Sequence, residues 1–283
     1  MPNLRIGIPS KGRLAERIGD LLDQAGLKFR RQDRTLFARV SGMPIDITFL
    51  RTDDIPLLCA EGAIDMGITG SDLVAESGAD VVIRLPLGIG RCRMVICVPE
   101  ESSIKEVSDL AGKQIATSFP GITRDFLAQH GSTCQIVAVH GSVEIMSSLG
   151  VAEAIVDLTE TGSTLAANKL RILEQISSYE SVVIQNQAAR KAELADRVIR
   201  RLEGVVVARG YSLLEYNVDR NKLAEAEAIT PGFHSPTVNP LEDPDWCAVR
   251  VMVKQADVTE SMDKLEALGA TAILETQIRN SRL

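Results

Sequence analysis

The sequence predicts an α/β fold. Two observations carry that reading. From Leu4 onward, short apolar runs alternate with amphipathic stretches, the order in which strands and helices layer around a largely parallel sheet. After Gly210 the texture changes to strands, helices and a proline-rich loop, which sets the end of the chain apart. The 283 residues are enough for roughly two domains. With 45% hydrophobic and 24% charged residues, the chain is neither disordered nor fibrous in composition.

The elements follow in order. Residues 4–8 read as a strand, and residues 13–25 place Leu14, Ile18, Leu21, Leu22 and Ala25 on one helical face. Residues 45–50 are the next strand; a helix over 52–61 follows, where Asp53 and Asp54 suit the positive end of its dipole. A strand over 66–69 leads to Ser71 as a helix cap, and a strand over 81–85 ends this part. From about residue 91 a comparable unit repeats the architecture, though not the sequence. It has strands over 94–98, 114–116, 135–139 and 154–158 and helices over 105–110, 123–129 and 143–149.

A strand over 181–185 and a helix over 187–202, with Ala188, Leu194, Ala195, Val198 and Leu202 inward, return to the first part. The expected organisation is one lobe from 1–90 and 181–209, a second from 91–180, and a separate module from 210–283. That module reads as βαββαβ: strand 211–218, helix 220–228, strand 246–253, helix 259–268 and strand 272–274, with Pro231, Pro236, Pro240 and Pro244 breaking the loop between.

Several function classes are excluded by composition. The 31 Lys and Arg against 38 Asp and Glu give a net charge of −7, which argues against a nucleic-acid face. An anionic ligand must then be held by a local cluster of cations. The longest strongly apolar runs, 94–98 and 204–208, fall far short of the ~20 residues of a spanning helix. The amino terminus interrupts its apolar run with Gly7 and Pro9 and then turns basic, the reverse of a signal peptide, so a cytoplasmic location is expected. The five cysteines show no Cys-x-x-Cys spacing and the three histidines no pairing with them, so the thiols read as bystanders.

The segment 154–165, AIVDLTETGSTL, carries the most chemistry. An apolar strand runs into acids and then a Thr-Gly-Ser-Thr turn, where backbone N–H groups, hydroxyls and the following helix start can converge on a phosphate. Gly162 permits close approach. The same turn is also an ordinary helix cap. Asp157 and Glu160 tip the balance, because a carboxylate beside a phosphate is costly unless it meets sugar hydroxyls or Mg²⁺. A ribose phosphate satisfies both demands.

DLTETGSTL resembles the phosphoribosyl pyrophosphate (PRPP) loop of the ATP phosphoribosyltransferases, the first enzymes of histidine biosynthesis. IPSKGRL, FLRTDDIP, DMGITGSDL, GSVEI and TPGFHSPTVNPLEDPDW extend the resemblance over nearly the whole chain, in the family's long form. The resemblance implies a two-lobed periplasmic-binding-protein-like catalytic body with an active cleft, plus an ACT-like C-terminal domain. It implies transfer of the phosphoribosyl group from PRPP to N1 of ATP with loss of pyrophosphate, Mg²⁺ as cofactor, feedback inhibition by L-histidine, and a homohexamer with smaller assemblies.

The resemblance also implies roles for residues. Asp157, Thr159, Glu160, Thr161, Gly162, Ser163 and Thr164 form the PRPP loop, with Glu144 bordering it at the ribose hydroxyls. Arg51 and Arg34 match basic positions near the departing pyrophosphate. Lys11 and Arg13 add positive charge, and Thr69, Gly70 and Asp72 line the ATP side of the cleft at a second strand-to-helix turn. A capped helix start explains Asp72 equally, and a favourable acid near a helix start explains Glu144. SFPGITR at 118–124 offers amides to the same cleft, with Thr123 and Arg124 as secondary candidates, although a Pro-Gly turn accounts for Pro120 and Gly121. Gly232, Ser235 and Thr237 lie where the family senses histidine.

Adenine N1 already carries a lone pair, so no general base is needed, and His130, His140 and His234 are not expected to act as one. Two other classes stay open. A solute-binding or effector-sensing protein shares the two-lobed cleft, and another phosphoribosyltransferase shares PRPP with a different nitrogen nucleophile.

Overall fold

The computed structural model describes residues 3–32, 35–188 and 192–282, so Arg34 lies outside the described residues. The first elements are β1 (Leu4–Pro9), α1 (Arg13–Gln24), β2 (Phe37–Arg39), β3 (Ile45–Leu50), α2 (Ile55–Ala60), β4 (Met66–Gly70), α3 (Ser71–Ser77) and β5 (Val81–Pro86). The expected helix over 52–61 is divided. A 3₁₀ turn, Thr52–Asp54, precedes α2, whose first turn contains Pro56, a residue with no N–H to continue the hydrogen-bond ladder. Ser71 is not the cap of α3: Gly70 is, and Ser71 instead exchanges hydrogen bonds with Glu180, its N–H donating to Glu180 O and its Oγ accepting from Glu180 N.

The next elements are β6 (Cys92–Pro99), β7 (Gln114–Thr117), α4 (Pro120–Gln129), β8 (Gln135–Ala138), β9 (Ala154–Thr159), α5 (Ser163–Ala167), β10 (Leu170–Tyr179) and β11 (Ser181–Asn186). Two expected helices are shorter here. Residues 105–110 hold a 3₁₀ turn, Val107–Leu110, and residues 143–149 hold another, Val143–Ile145, which begins at Ser142 in the left-handed region. The backbone strain at Ser142, φ 50°, replaces a regular helix start.

Two sheets result, ordered β2-β3-β1-β4-β11-β5 and β10-β6-β9-β7-β8. In the first, β1 lies parallel to both β3 and β4, and Leu4, Ile6, Ile8, Ile45, Ile47, Met66 and Ile68 are buried. In the second, β7 is parallel to β8 and β9, and β6 is buried on both faces: Met94, Ile96 and Val98 on one, Val95 and Cys97 on the other. The chain crosses between the sheets after β5 and again after β10. The crossings are bonded to each other, Leu87 N to Ser181 O and Ser181 N to Ile89 O, both at 2.9 Å.

The last elements are α6 (Ala192–Arg209), β12 (Tyr211–Asp219), α7 (Leu223–Ile229), β13 (Thr237–Pro240), β14 (Trp246–Lys254), α8 (Val258–Leu268) and β15 (Thr271–Gln277). The order is βαββαβ, with the sheet ordered β13-β14-β12-β15; β13 forms within the proline-rich segment that the sequence reads as a loop. Tyr216, Val249, Val251 and Leu265 are among its buried core. Contacts divide the chain into Met1–Gly19 with Phe29–Ala195, which holds the first two sheets, and Asp20–Lys28 with Asp196–Leu283. From Asp196 onward α6 groups with the terminal sheet, whereas the sequence assigned it to the first lobe through residue 209. Its buried Val198, Ile199, Leu202, Val205 and Ala208 keep one helical face through the valine run, and Arg209 Nη2 donates to Gln24 Oε1 at 3.3 Å.

Candidate active site

In parallel α/β sheets, ligands gather at the carboxyl ends of the strands, where helices begin. The predicted site residues sit at those ends. Lys11 and Arg13 follow β1, Arg51 follows β3, and Thr69 and Gly70 close β4. Asp157 and Thr159 lie in β9, Glu160 to Thr164 follow it, and Glu144 lies in the turn after β8. Of the predicted residues in the first two lobes, Arg13, Gly70, Asp72 and Glu160 line a shared cavity, whereas Glu144, Asp157, Thr159 and Thr161 to Thr164 do not.

A cavity of about 290 Å³ shows which of these residues come together. Arg13, Gly70 and Asp72 line it from the first lobe and Glu160 from the second. Arg17, one helical turn after Arg13, also lines it and was missed in the sequence. The spacing of four residues on α1 is the signal that finds it, since it puts both guanidinium groups on one face. A second space of about 480 Å³ shares Cys92 and Glu160 with the first and extends to Arg91 and Tyr179. Lys11 and Arg51 are exposed and stand outside both linings. Neither side chain has an ion pair or hydrogen bond among the described residues.

The electrostatics separate the acids. Asp72 is buried, and desolvation, with a smaller contribution from Asp53, pushes its carboxyl above the usual aspartate range. Asp157 shifts the same way, first through burial and then through the nearby Glu144 charge, against a 2.8 Å hydrogen bond that its Oδ1 accepts from Leu158 N. Thr69 is fully buried and its Oγ1 donates to Thr52 O at 3.1 Å, so this hydroxyl holds the turn after β3 against β4.

The turn after β9 is built by its own hydroxyls. Gly162 N donates to Thr159 Oγ1 at 2.9 Å, and Thr161 Oγ1 and Ser163 Oγ lie 3.0 Å apart. Gly162 has φ 82°, a left-handed conformation that costs a side-chain-bearing residue about 1–2 kcal/mol. The helix behind the turn, α5, has only five residues, so the expected contribution of a helix dipole reduces to the first-turn amides. Gly162 is its cap and offers those amides no side-chain acceptor.

The segment 118–124 behaves differently from expectation. Thr123 is fully buried with its Oγ1 donating to Phe119 O at 2.7 Å, and the amides of Gly121 and Ile122 are taken by Glu76. They are not free to receive a substrate. Burial pushes the thiols of Cys59 and Cys97 up to about 12, which makes both inert as nucleophiles at neutral pH. His130 ends α4, its Nδ1 2.9 Å from Phe126 O.

In the terminal module, Gly232 lines a cavity of about 380 Å³ together with Tyr211, Phe233, Lys254 and Asp257. Ser235 and Thr237 are exposed and lie outside this lining. No helix among the described residues is long and apolar enough to cross a membrane.

Comparison with known proteins agrees with this geometry. Residues 51–204 match the family described as ATP phosphoribosyltransferase, and residues 208–280 match the HisG C-terminal domain. An ATP phosphoribosyltransferase of Rhodopirellula baltica is 61% identical over 280 residues, 99% of this chain and 94% of that protein. One of Saccharopolyspora erythraea is 41% identical over 99% of this chain and all of its own length. Among solved structures, a chain of the ATP phosphoribosyl transferase (HisG:HisZ) complex from Thermotoga maritima aligns with 72% of this chain and 98% of its own. It is 30% identical, with a TM-score of 0.65. The chain belongs to the ATP phosphoribosyltransferase family, in the long form that carries the C-terminal domain.

Proposed function

We propose that the cleft transfers the 5-phosphoribosyl group of PRPP to N1 of ATP, the first step of histidine biosynthesis. The observation that carries this reading is the pairing, across one cavity, of Arg13, Arg17 and Asp72 from one lobe with Glu160, at the start of the DLTETGSTL turn, from the other. The turn's amides and the hydroxyls of Thr161, Ser163 and Thr164 suit the 5-phosphate, and Asp157 and Glu144 suit the ribose hydroxyls. The lone pair of N1 forms the bond to the anomeric carbon as the bond to pyrophosphate breaks, and the departing electron pair stays on a pyrophosphate oxygen. No proton needs to leave N1, so catalysis is positioning plus stabilisation of the leaving group. Arg51, and Arg34 by family likeness, supply guanidinium forks for that charge.

Mg²⁺ fits this site as a partner of the substrate. Among the described residues no group of three or more His, Cys, Asp or Glu could hold a metal ion. Mg²⁺ is typically held by one or two carboxylates plus substrate phosphates, which the Asp157–Glu144 pair suits. When bound it neutralises diphosphate charge; the residues of the chain orient both substrates. Incubation with ATP, PRPP and Mg²⁺ tests the reading. Pyrophosphate release with the absorbance change of N1-substituted adenine is expected; binding without turnover, or turnover only with another base, would refute it.

The terminal module, on this reading, binds histidine and lowers activity by favouring one arrangement of the protein. Support comes from the cavity beside Gly232, whose φ is 66° and where an added Cβ would meet Val251 Cγ2 at 3.0 Å. Gly232→Ala is expected to raise the histidine concentration for half-inhibition about tenfold, within the usual range of allosteric coupling, and to leave uninhibited turnover unchanged. Unaltered inhibition would remove this loop from the histidine site. A homohexamer with smaller assemblies is part of the same proposal, and sedimentation with and without histidine tests it.

A further inference from the structure

Helix α4 begins without a cap of its own. Its N-cap residue is Phe119, which has no side-chain acceptor, and Pro120 has no N–H. Phe119 N donates to Thr117 Oγ1 at 2.9 Å. The two first-turn donors that remain, Gly121 N and Ile122 N, each donate to a separate carboxylate oxygen of Glu76, at 2.7 and 2.9 Å. Glu76 belongs to the other lobe: it lies on α3, directly behind β4 of the six-stranded sheet, 45 residues before Gly121.

The same helix makes a second contact across the cleft. Leu73, one turn before Glu76, packs against the second lobe's core of Met94, Ile96, Phe119 and Leu127. Its neighbour Asp72 is buried and lines the cleft. Gly121 fits the arrangement, because a Cβ there would stand 3.1–3.2 Å from the Glu76 carboxyl atoms. The approach uses the missing side chain.

We propose that Glu76 is an interlobe latch, a positioning residue that holds the two lobes at the aperture where the cleft is complete. Its carboxylate supplies the cap that α4 lacks, so opening the cleft must break two charge-assisted bonds and leave the start of α4 uncapped. The apparent affinity for a ligand scales with the fraction of protein in the binding-competent state. Without the latch, substrate must supply the closure. The apparent KM rises, while saturating substrate restores the closed form and with it kcat.

Two measurements on the full chain test this. Hydrogen exchange of peptides covering 119–124 does not depend on what the cleft transfers, so it separates failure of the latch from failure of the proposed reaction. Glu76→Ala is expected to speed exchange there about tenfold, equivalent to ~1.4 kcal/mol, with β7 and β9 unchanged. It should raise the KM for PRPP by a similar factor with kcat within about twofold. Glu76→Gln, whose carbonyl still accepts, should fall between. Unchanged exchange at 119–124 overturns the latch, and protection lost across the whole second lobe makes Glu76 a folding residue instead. Faster local exchange with an unmoved KM breaks the link to aperture.

Discussion

Arg51→Ala is expected to lower kcat by about 10²–10³ while leaving the affinity for ATP little changed, since removing one preorganised donor from a developing negative charge typically costs that much. Arg51 follows β3 at the carboxyl edge of the sheet, with backbone angles φ −69° and ψ 140°. Its carbonyl accepts from Asp54 N at 3.1 Å, which fixes the residue, while the exposed guanidinium has no partner among the described residues. An arginine spent on structure would be paired. One held at the main chain and open at its tip is suited to charge that grows during reaction and is small in the ground state. Single-turnover and steady-state rates with ATP titrations separate the two effects. Equal loss of ATP affinity and turnover would make Arg51 a ground-state binder, and unchanged turnover would remove it from the mechanism.

Much of the fold was legible because its periodicities are regular. Residues 94–98 read as a strand from a continuous apolar run, and burial of β6 on both faces is the reason. β10, which the sequence reading missed along with the short β2 and β13, shows the limit. Its pairing with β6 shifts register between Ile172 and Glu174 and again between Gln175 and Ser177, and each irregularity breaks the alternation by which a strand is recognised. The expected helix over 187–202 stops short of the valine run at 205–207, but a buried face at Leu202, Val205 and Ala208 carries α6 on to Arg209.

The site divides along a similar line. Glu160 was legible as an acid at a strand-to-helix turn, whereas Asp72 became a candidate through the family resemblance; both line the cavity. Glu76 has no such signal in the sequence. Its role depends on α4 being capped from the other lobe, a relation between segments 45 residues apart. Arg17 lay between these cases, visible only once Arg13 was fixed on the same helical face.

Asp157→Asn is expected to move stability and activity in opposite directions. Burial and the adjacent Glu144 raise the Asp157 carboxyl, so the folded protein binds this proton more tightly than the unfolded chain does. The charged form is thus a cost to folding. Stability falls as pH rises from the ordinary aspartate value, near ~3.9, through the raised folded value, and stays lower at neutral pH. Asparagine removes that charge and keeps an oxygen to accept the 2.8 Å bond from Leu158 N. A higher Tm at pH 7 follows, with the gain over the parent shrinking as pH drops below that window. In the proposed reaction, the same substitution would turn a charge-assisted bond to a ribose hydroxyl into a neutral one. At ~1.5–3 kcal/mol for bonds to charged groups, kcat/KM for PRPP should fall roughly 10- to 100-fold. Thermal melts at two pH values and PRPP kinetics check both halves. A lower Tm at pH 7 would mean that the carboxylate supports the fold, and undiminished kcat/KM would mean that it does not touch the sugar.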